Sequence, residues 1–378
     1  MFDVPETISG ESGDSKFPIV ILDGGFGTTL QDLFHKDIST PLWSAKPVDE
    51  EPEVIIDAHL AFLRAGARVI LTATYQAAYD TVEAAGYSRE HAERLMRKAV
   101  RLAQAAKARF LLEHPFVQGD EIKIALSLGP FGSTRSTHEF DGIYPPPYGP
   151  PESVPASEPN ANYFVRDEDE EPAIEALKQF HLERLRIFAA DKETWDDIDC
   201  IAFETVPLRR EIRAIRRAVK ELRQESKWRP WWISTVHPNG QFPEQSGHGE
   251  GRVQIPQVMD ALLDDDTPSG GVVPDGVGLN CTPLENIAAR LQDMTVYLQQ
   301  RSLPRPWLIV YPNGGDWDVS AHDWATAGRS RALEGEAWAR GLREAVQPAL
   351  DSRVWRGIIL GGCCKIGPRE IAGLAKDV

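Results

Sequence analysis

Eight short apolar segments, separated by stretches of helical periodicity, constrain the fold of this chain more than any other feature of its sequence. Each segment is rich in Ile, Val, Leu or Trp and lacks polar alternation, which is the pattern of strands covered on both faces. The segments are FPIVILD (17–23), ARVILTA (67–73), IKIALSL (122–128), IDCIAFE (198–204), PWWISTV (230–236), DGVGLN (275–280), PWLIVY (306–311) and RGIILGG (356–362).

The stretches between these segments predict amphipathic helices. They are 52–65, 88–113, 172–190, 208–225, 283–300, 331–346 and 368–376, with a weaker candidate at 255–264. Eight strands alternating with eight helices predict an α/β fold, a (β/α)8 TIM barrel formed by one domain over 1–378. The alternative is an open doubly wound sheet, although no GxGxxG motif follows the first strand to support a dinucleotide-binding version.

Two connections are unusually long, and both follow a predicted strand. Residues 145–171 contain seven prolines by position 159 and then the acidic run DEDEE, so we expect an exposed, partly disordered insertion. Residues 237–254 form a polar, Gly-rich loop. In a barrel both connections would overhang the C-terminal face, where active sites lie, either as a lid or as decoration.

The composition argues against several classes of function. A net charge of −16 disfavours a nucleic-acid partner, because phosphate binding relies on clustered Lys and Arg. The N-terminal segment has no apolar run of a secretory signal, and no segment has the length of a membrane span. Four cysteines in 378 residues are too few for a disulfide scaffold. We therefore expect a cytoplasmic protein whose cysteines are metal ligands, catalytic groups or core residues.

Three of the four cysteines directly follow predicted strands. Cys281 follows VGLN at the end of the sixth strand, and Cys363 and Cys364 follow IILGG at the end of the eighth. These strand ends share one rim of a barrel, and three protein ligands with an open fourth position are typical of catalytic zinc. A disulfide within the adjacent pair is disfavoured, because neighbouring Cα atoms are only about 3.8 Å apart. The alternative is that all three are small buried residues, which is what we expect for Cys200.

A Zn²⁺ ion bound by three thiolates would suit the activation of a thiol substrate. A free thiol, with a pKa of about 8.5, is mostly protonated at neutral pH, whereas a thiol at the open position would be deprotonated by the metal. Three cysteinates leave the site net negative, so the bound sulfur stays electron-rich. This favours attack on a carbon electrophile over activation of water.

The motifs around these cysteines, and others along the chain, resemble those of the homocysteine S-methyltransferases, which are zinc-dependent (β/α)8 barrels. Several of the shared motifs are long and all occur in family order, so chance does not explain the match. They are LDGGFGTTL (22–30), PLWSAKP (41–47), HLAFLRAGA (59–67), TATYQA (72–77), SLGPFG (127–132), EFDGIY (139–144), FETVPLRREI (203–212), GLNCTP (278–283), VYPNGG (310–315) and GGCC (361–364).

The resemblance implies a binding pocket for homocysteine beside the metal. Asp23 and the Gly24–Gly25 backbone would belong to this pocket, and Glu204 would hold the substrate ammonium, for which a carboxylate is a suitable partner. The alternative for both carboxylates is capping of the helix that follows.

The resemblance also implies residues that face the methyl donor. Trp43 and Tyr75 would lie against its positively charged centre, because aromatic faces attract cations, unless each only packs. Asn313 and Asn280 are further candidates, either for orienting a ligand or for a supporting hydrogen bond to the groups that hold it.

The chain departs from the family pattern beside the cysteines. The family motif continues GGCC with Gly, but here Lys365 follows. The local turn is therefore in question, and a cation is brought near an anionic site.

The chain is most similar to the branch that uses S-methylmethionine or S-adenosylmethionine. Members that use cobalamin have further domains, and betaine-dependent members continue well beyond the cysteine pair, whereas 14 residues follow Cys364 here. We expect a monomer or a small homo-oligomer.

The predicted reaction is transfer of a methyl group from a sulfonium donor to zinc-bound homocysteine thiolate, giving methionine. Two alternatives keep the same site, namely methylation of selenocysteine and use of betaine. A third alternative is a catalytically silent zinc-binding barrel with a regulatory role, in which 145–171 would contact a partner. A methyl-transfer assay with several onium donors separates these alternatives.

Overall fold

The computed structural model describes residues 17–37, 46–134, 138–151, 161–247, 251–264, 271–315, 317–318, 323–324 and 335–376. Every predicted apolar segment contains a strand. The strands are β1 (Ile19–Ile21), β2 (Val69–Leu71), β3 (Lys123–Leu128), β4 (Cys200–Val206), β5 (Trp231–Thr235), β6 (Gly276–Pro283), β7 (Trp307–Asn313) and β8 (Ile358–Leu360). A short antiparallel pair, Trp317–Asp318 with Asp323–Trp324, lies outside this set.

The eight strands form one parallel sheet that closes on itself. Their order is β1-β8-β7-β6-β5-β4-β3-β2, so each strand lies beside its neighbour in sequence and β8 pairs with β1. A parallel bridge between Leu22 and Val69 joins β1 to β2 and completes the ring. The predicted TIM barrel is confirmed, and the open doubly wound sheet is wrong.

Twelve helices lie in the described part of the chain, around the sheet. They are α1 (Phe26–Asp32), α2 (Lys46–Glu50), α3 (Pro52–Arg64), α4 (Tyr79–Ala84), α5 (Arg89–Glu113), α6 (Asp167–Ala189), α7 (Lys192–Asp197), α8 (Arg209–Leu222), α9 (Ile255–Leu263), α10 (Leu284–Gln299), α11 (Glu336–Asp351) and α12 (Pro368–Ala375). The helix predicted at 331–346 extends to Asp351, and its first predicted residues, 331–334, lie outside the described residues. Helices α1, α2, α4 and α7 were not predicted, since five to seven residues are too few to show a helical period.

The apolar residues of the strands divide into two layers. One set points into the barrel, where Trp232 and Trp307 fill the interior and Cys200 lies among them, as expected for a core residue. The other set points outward and packs against the buried faces of the helices in one large cluster. Burial on both faces explains why the strands read as continuous apolar runs.

The two long connections meet at the C-terminal face of the barrel. Asn162, from the connection after β3, donates its backbone N–H to Gln245 Oε1 at 3.0 Å, and Gln245 N–H donates back to Asn162 Oδ1 at 2.9 Å. Gln245 belongs to the connection after β5. The long loops predicted at this face are therefore present and bonded to each other.

The connection at 145–171 is more ordered than its composition predicts. Residues 161–163 are buried, and the guanidinium of Arg210 in α8 donates to a carbonyl oxygen of this stretch at 2.7 Å. The acidic run at 167–171 forms the first turn of α6, where the helix dipole favours negative charge. The expectation of exposure is wrong for 161–163, whereas the acidic run is helical and most of its described side chains are exposed, so only its expected disorder is wrong. Residues 152–160 lie outside the described residues.

No helix among the described residues is long and apolar enough to cross a membrane.

Candidate active site

The carboxyl ends of β6 and β8 bring three sulfur atoms together. The Sγ atoms of Cys281, Cys363 and Cys364 all lie within 4.8 Å of one another. In the described chain this is the one convergent group of three or more His, Cys, Asp or Glu side chains with the spacing of metal ligands. More than eighty positions separate Cys281 from the pair in sequence, but the barrel places the carboxyl ends of β6 and β8 close together in space.

Two of the three cysteines are joined. Cys281 and Cys363 form a disulfide with their Cα atoms 5.5 Å apart, and Cys364 is free. The adjacent pair is not bridged, in agreement with the sequence prediction, but the Cys281–Cys363 pairing was not predicted. A set of three thiolates requires this pair to be reduced.

Cys281 is positioned by an irregularity in β6 and by side-chain bonds to β4, the next strand but one in the sheet. It has a left-handed φ of +46°, and so does Thr205 in β4, with a φ of +61°. The side chain of Asn280 joins the two strands, because Thr205 N–H donates to its Oδ1 and its Nδ2 donates to Thr205 Oγ1, both at 2.7 Å. Left-handed non-glycine residues are costly, so this clamp maintains a strained backbone that orients the cysteine.

The Cys363–Cys364 turn after β8 is held by main-chain contacts from the ends of two other strands, β1 and β7. Cys363 N–H donates to the carbonyl oxygen of Pro312 at 2.8 Å, and the carbonyl oxygen of Cys364 accepts from Gly314 N–H at 2.8 Å. Gly25 N–H donates to the carbonyl oxygen of Ile366 at 2.9 Å. The position of the two sulfurs is therefore fixed by the backbone of β1, β7 and β8.

The glycines after β1 have a packing role at this turn. A Cβ on Gly25 would lie 2.5 Å from the carbonyl oxygen of Cys363, and a Cβ on Gly24 would overlap the carbonyl of Ile366. Only glycine lets the two backbones approach this closely. Their assignment to the homocysteine pocket stays a prediction, but their contact with the cysteine turn is a feature of the structure.

Lys365 adopts a backbone conformation that suits the glycine expected from the family motif at this position. Its φ is +65°, the left-handed region that favours glycine. Its ammonium forms an ion pair with the Asp32 carboxylate at 2.9 Å, at the end of α1. The substitution therefore costs backbone strain at the turn, and it directs the cation to Asp32 rather than to the sulfurs.

Two buried carboxyl groups lie beside the sulfurs at the ends of β1 and β4. Asp23 is fully buried, and its Oδ2 accepts Leu71 N–H at 2.8 Å. Its Oδ1 has no hydrogen-bond partner among the described residues. Glu204 accepts a hydrogen bond from Ser127 Oγ, and burial raises its pKa to about 7. Burial, opposed by the Leu71 bond and assisted by Glu204, also raises the pKa of Asp23.

Tyr75 and Asn313 reach the same rim, whereas Trp43 cannot be placed. The Tyr75 hydroxyl donates to Glu139, and Asn313, at the end of β7, is 8% exposed with no hydrogen-bond partner for its Oδ1 within the described chain. Trp43 lies outside the described residues. Unpaired buried polar atoms cost free energy, so Asn313 Oδ1 and Asp23 Oδ1 are two acceptors at this rim that a ligand could satisfy.

Sequence reasoning about individual residues missed a buried support for the segment that carries Glu139. Glu211 in α8 accepts from the backbone N–H of Phe131 at 2.6 Å, from the Tyr144 hydroxyl at 2.7 Å and from His181 Nε2 at 3.0 Å. Burial lowers the pKa of His181 despite the neighbouring carboxylate. Glu139 and Glu211 both lie within motifs of the family, which is the one signal that pointed to them.

Arg184 was also missed, because nothing in the sequence of α6 distinguishes it. Its guanidinium is buried and donates to the carbonyl oxygens of Ala77, Gly129 and Tyr75 at 3.0, 2.7 and 2.9 Å. Burial lowers its pKa to about 10. The loops after β2 and β3 are thereby tied to one cation.

Comparison with known proteins identifies the family. A sequence profile described as homocysteine S-methyltransferase matches residues 20–378. The chain belongs to this family. The predicted enzyme class, a homocysteine S-methyltransferase, is thereby confirmed.

Relatives and solved structures agree with this assignment. Homocysteine S-methyltransferase 1 of Brassica oleracea var. italica is 28% identical over 366 residues, covering 95% of this chain and 93% of the relative. Homocysteine S-methyltransferase YbgG of Bacillus subtilis is 27% identical, covering 95% and 94%. The metallated crystal form of the homocysteine methyltransferase MmuM from Escherichia coli is similar with a TM-score of 0.65 and 25% identity, covering 96% and 97%. Its oxidized form gives 0.64 and 26%, covering 94% of each chain.

The three sulfurs of this methyltransferase fit a metal ion. Sulfurs bound tetrahedrally to one zinc ion at about 2.3 Å lie about 3.8 Å apart, and three sulfurs within 4.8 Å approach that arrangement once the disulfide is reduced. Burial, and next the Glu139 carboxylate, raise the pKa of Cys364 to about 12. This thiol therefore stays protonated at neutral pH unless a cation is bound beside it.

Proposed function

We propose that this methyltransferase moves a methyl group from a sulfonium donor, S-methylmethionine or S-adenosylmethionine, to the thiolate of homocysteine, giving methionine. The observation that carries the proposal is the convergence of Cys281, Cys363 and Cys364 within 4.8 Å in a chain of this family. Since no fourth protein ligand joins them within the described residues, one position is left for the sulfur of the substrate.

Cys281, Cys363 and Cys364 would hold a zinc ion, because thiolate ligands select a soft or borderline metal. When bound, zinc lowers the pKa of a thiol that ligates it, so that homocysteine reacts as its thiolate at neutral pH. The Asn280 clamp and the main-chain contacts of the cysteine turn keep the three sulfurs in position. No general base from the chain is required once the thiol proton has passed to solvent.

Asp23 and Glu204 form the recognition site for the amino group of homocysteine. Both carboxyl groups are buried, and neither has an ion pair with Lys or Arg in the part of the chain that the structure describes. An ammonium group would supply Asp23 Oδ1 with its missing partner and would favour the ionised form of Glu204. Asn313 Oδ1, at the end of β7, is a further acceptor for this ligand.

The transfer itself requires alignment rather than proton movement. The thiolate sulfur forms the new S–CH₃ bond as the bond from the methyl carbon to the donor sulfur breaks, and the electron pair of that bond stays on the donor sulfur. The sulfonium becomes a neutral thioether. The role of Tyr75, and of Trp43 if it reaches the site, is to hold the cation in line by the attraction of aromatic faces.

A donor panel tests the proposal. Reduced protein, loaded with zinc, is incubated with homocysteine and separately with S-methylmethionine, S-adenosylmethionine and betaine, and methionine is quantified. We expect methionine from at least one sulfonium and not from betaine. The absence of methionine with both sulfonium compounds, from protein that retains zinc, would refute the proposal. Selenocysteine in place of homocysteine tests the choice of acceptor in the same assay.

A further inference from the structure

Glu139 is a carboxylate at the active site that the assignments above leave without a role. It lies between the two strands β3 and β4 in sequence, in a turn that packs against the single helical turn Phe131–Thr134. The contact is tight, because a Cβ on Gly132 would lie 2.9 Å from the Cα of Glu139. The buried Glu211 network fixes that helical turn from the opposite side through Phe131. Glu139 is therefore held on a supported backbone and not on a free loop tip.

The side chain of Glu139 lies among other acidic groups. It accepts a hydrogen bond from the Tyr75 hydroxyl, and it is close enough to Cys364 and Glu204 for its charge to raise the pKa of each. The ring of Tyr75 is itself placed over Gly129, where a Cβ would lie 2.9 Å from its Cε2. Tyr75 and Glu139 thus form one unit at the edge of the three sulfurs.

No cation of the described chain balances Glu139. Its one hydrogen bond within the described residues is the bond from Tyr75, and no ion pair there includes it. The neighbouring His138 pairs instead with Asp141, at 3.1 Å. A half-buried carboxylate without a countercharge is costly, and a cationic ligand removes that cost.

We propose that Glu139, positioned by Tyr75, is the countercharge for the sulfonium centre of the methyl donor. This assignment rests on the proposed function. That reaction brings two kinds of positive charge to the rim, an amino-acid ammonium and a sulfonium. Glu204, whose charge acts on Asp23, takes the ammonium of homocysteine with it, whereas Glu139 is hydrogen-bonded to the aromatic residue that a sulfonium requires and its charge acts on Cys364.

The charge change of the reaction gives this residue a specific kinetic signature. The sulfonium loses its positive charge as the methyl group leaves, so Glu139 stabilises the bound donor more than the transition state or the neutral thioether product. Its contribution therefore goes to binding of the donor and to release of the product, and not to acceleration of the transfer. Loss of the charge should raise KM for the donor while kcat stays unchanged or increases.

Glu139→Gln tests this assignment, with KM and kcat measured for the sulfonium that the wild type turns over. We expect KM for the donor to rise about 10- to 100-fold, the range for a hydrogen-bonded charge partner, while KM for homocysteine stays within about 3-fold. Glu139→Asp keeps the charge and should recover part of the loss. Asp141→Asn, a neighbour on the same turn that pairs with His138, should leave KM for the donor unchanged.

A binding comparison separates charge recognition from a structural role. The probes are S-methylmethionine and 2-amino-5-methylhexanoic acid, which has the same shape with a CH group in place of the sulfonium sulfur. For an enzyme that turns over S-adenosylmethionine instead, the pair is that donor and S-adenosylhomocysteine. Wild type should bind the sulfonium about 10-fold more tightly or better, and Glu139→Gln should lose most of this preference, keeping only the part that the aromatic face of Tyr75 supplies.

The two proposals fail in different measurements. If the wild type transfers no methyl group from either sulfonium, the proposed function is refuted, and the assignment of Glu139 with it. If the wild type is active but Glu139→Gln prefers the charged probe as strongly as the wild type does, the assignment alone is refuted. A fall in kcat with unchanged KM for the donor would also overturn it. Should the Gln variant not fold, Tyr75→Phe carries the comparison and should weaken the preference for the charged probe, because it removes the hydroxyl that positions the carboxylate.

Discussion

The rim of this barrel has two sides that are built in different ways. The cysteine side, Cys281, Cys363 and Cys364, is positioned by backbone, through main-chain hydrogen bonds, close glycine contacts and left-handed residues. The carboxyl side, Asp23, Glu139 and Glu204, is positioned mainly through side-chain and backbone hydrogen bonds to the carboxyl groups themselves.

This difference predicts how metal binding and substrate recognition respond to amino-acid substitution. A metal site needs its ligands within a few tenths of an ångström, and backbone placement supplies that precision at the expense of strain. Recognition of cationic substrates needs buried negative charge, which destabilises the folded protein until the substrate arrives. Substitutions on the cysteine side should therefore abolish activity. Substitutions that remove a charge on the carboxyl side should weaken substrate binding and stabilise the folded protein.

The largest expected effect is loss of a sulfur. Replacing Cys281, Cys363 or Cys364 singly with Ser should lower zinc content and reduce kcat/KM by more than about 100-fold, because loss of a ligand exceeds the effect of losing an outer hydrogen bond to a metal site. Metal analysis and the donor assay measure this on reduced protein. Cys200→Ala, in the barrel interior, is the control and should keep its zinc. Full zinc occupancy in Cys363→Ser would show that the cysteine side is not a three-ligand site.

Glu204→Gln should weaken substrate binding on the carboxyl side without loss of zinc. KM for homocysteine should rise about 10- to 100-fold, because a charged hydrogen bond to the ammonium is lost. Zinc should be retained, since Glu204 is not among the three converging sulfurs. An unchanged KM for homocysteine would remove Glu204 from the recognition site.

The same variant should be more stable than the wild type at high pH in the absence of substrates. Burial raises the pKa of Glu204 from 4.5 to about 7, so its contribution to stability is fully present below pH 4.5 and is lost as the pH rises through about 7. Gln does not titrate. The difference in the free energy of unfolding should therefore be near zero at pH 4 and grow to at most about 3 kcal/mol at pH 8. Denaturant unfolding at both pH values measures it, with exposed Glu285→Gln as the control. If the free energies of unfolding of variant and wild type differed by the same amount at both pH values, the raised pKa of Glu204 would not be the cause.

A smaller effect on stability and zinc affinity is expected where the segment after β1 meets the Cys363–Cys364 turn. Gly25→Ala places a Cβ against the carbonyl oxygen of Cys363 and against Thr28 Oγ1, and the overlap should lower the free energy of unfolding by about 1–3 kcal/mol. Zinc affinity should fall with it, because the cysteine turn has to move. Gly119→Ala meets only an ordinary contact with Leu111 and is the matched control. If Gly25→Ala binds zinc like the wild type, backbone contact does not position the cysteines.

The smallest expected effect concerns Lys365. Replacement with Gly relieves left-handed strain of about 1 kcal/mol and removes a partly exposed ion pair that contributes less, so stability should rise by about 0.5 kcal/mol. Lys365→Ala keeps the strain and loses the ion pair, and it should be no more stable than the wild type. Thermal or denaturant unfolding compares the three proteins. Equal gains for both variants would show that strain at the turn is not the cause.

Much of the fold could be predicted because it rests on local patterns. The eight apolar segments each contain a strand, and the longer helices begin and end within a few residues of their predicted bounds. The misses have physical causes. Helices such as α4 and α7 are too short for a period, and the acidic run at 167–171 has the composition of a loop although the helix dipole and α8 stabilise it as a helix.

The sequence by itself determined the cysteine side. Cys281 and the Cys363–Cys364 pair follow strand-forming segments, and in a barrel of parallel strands all such positions share one rim. The family motifs named Asp23 and Glu204, but only the tertiary structure decided the contacts of the carboxyl side and the direction of Lys365. Whether Glu139 lies beside Cys364, whether Glu204 has a cation and whether Lys365 faces the sulfurs or Asp32 depend on which side chains of distant segments meet. Those contacts are set by packing and burial across the whole barrel, which no local pattern encodes.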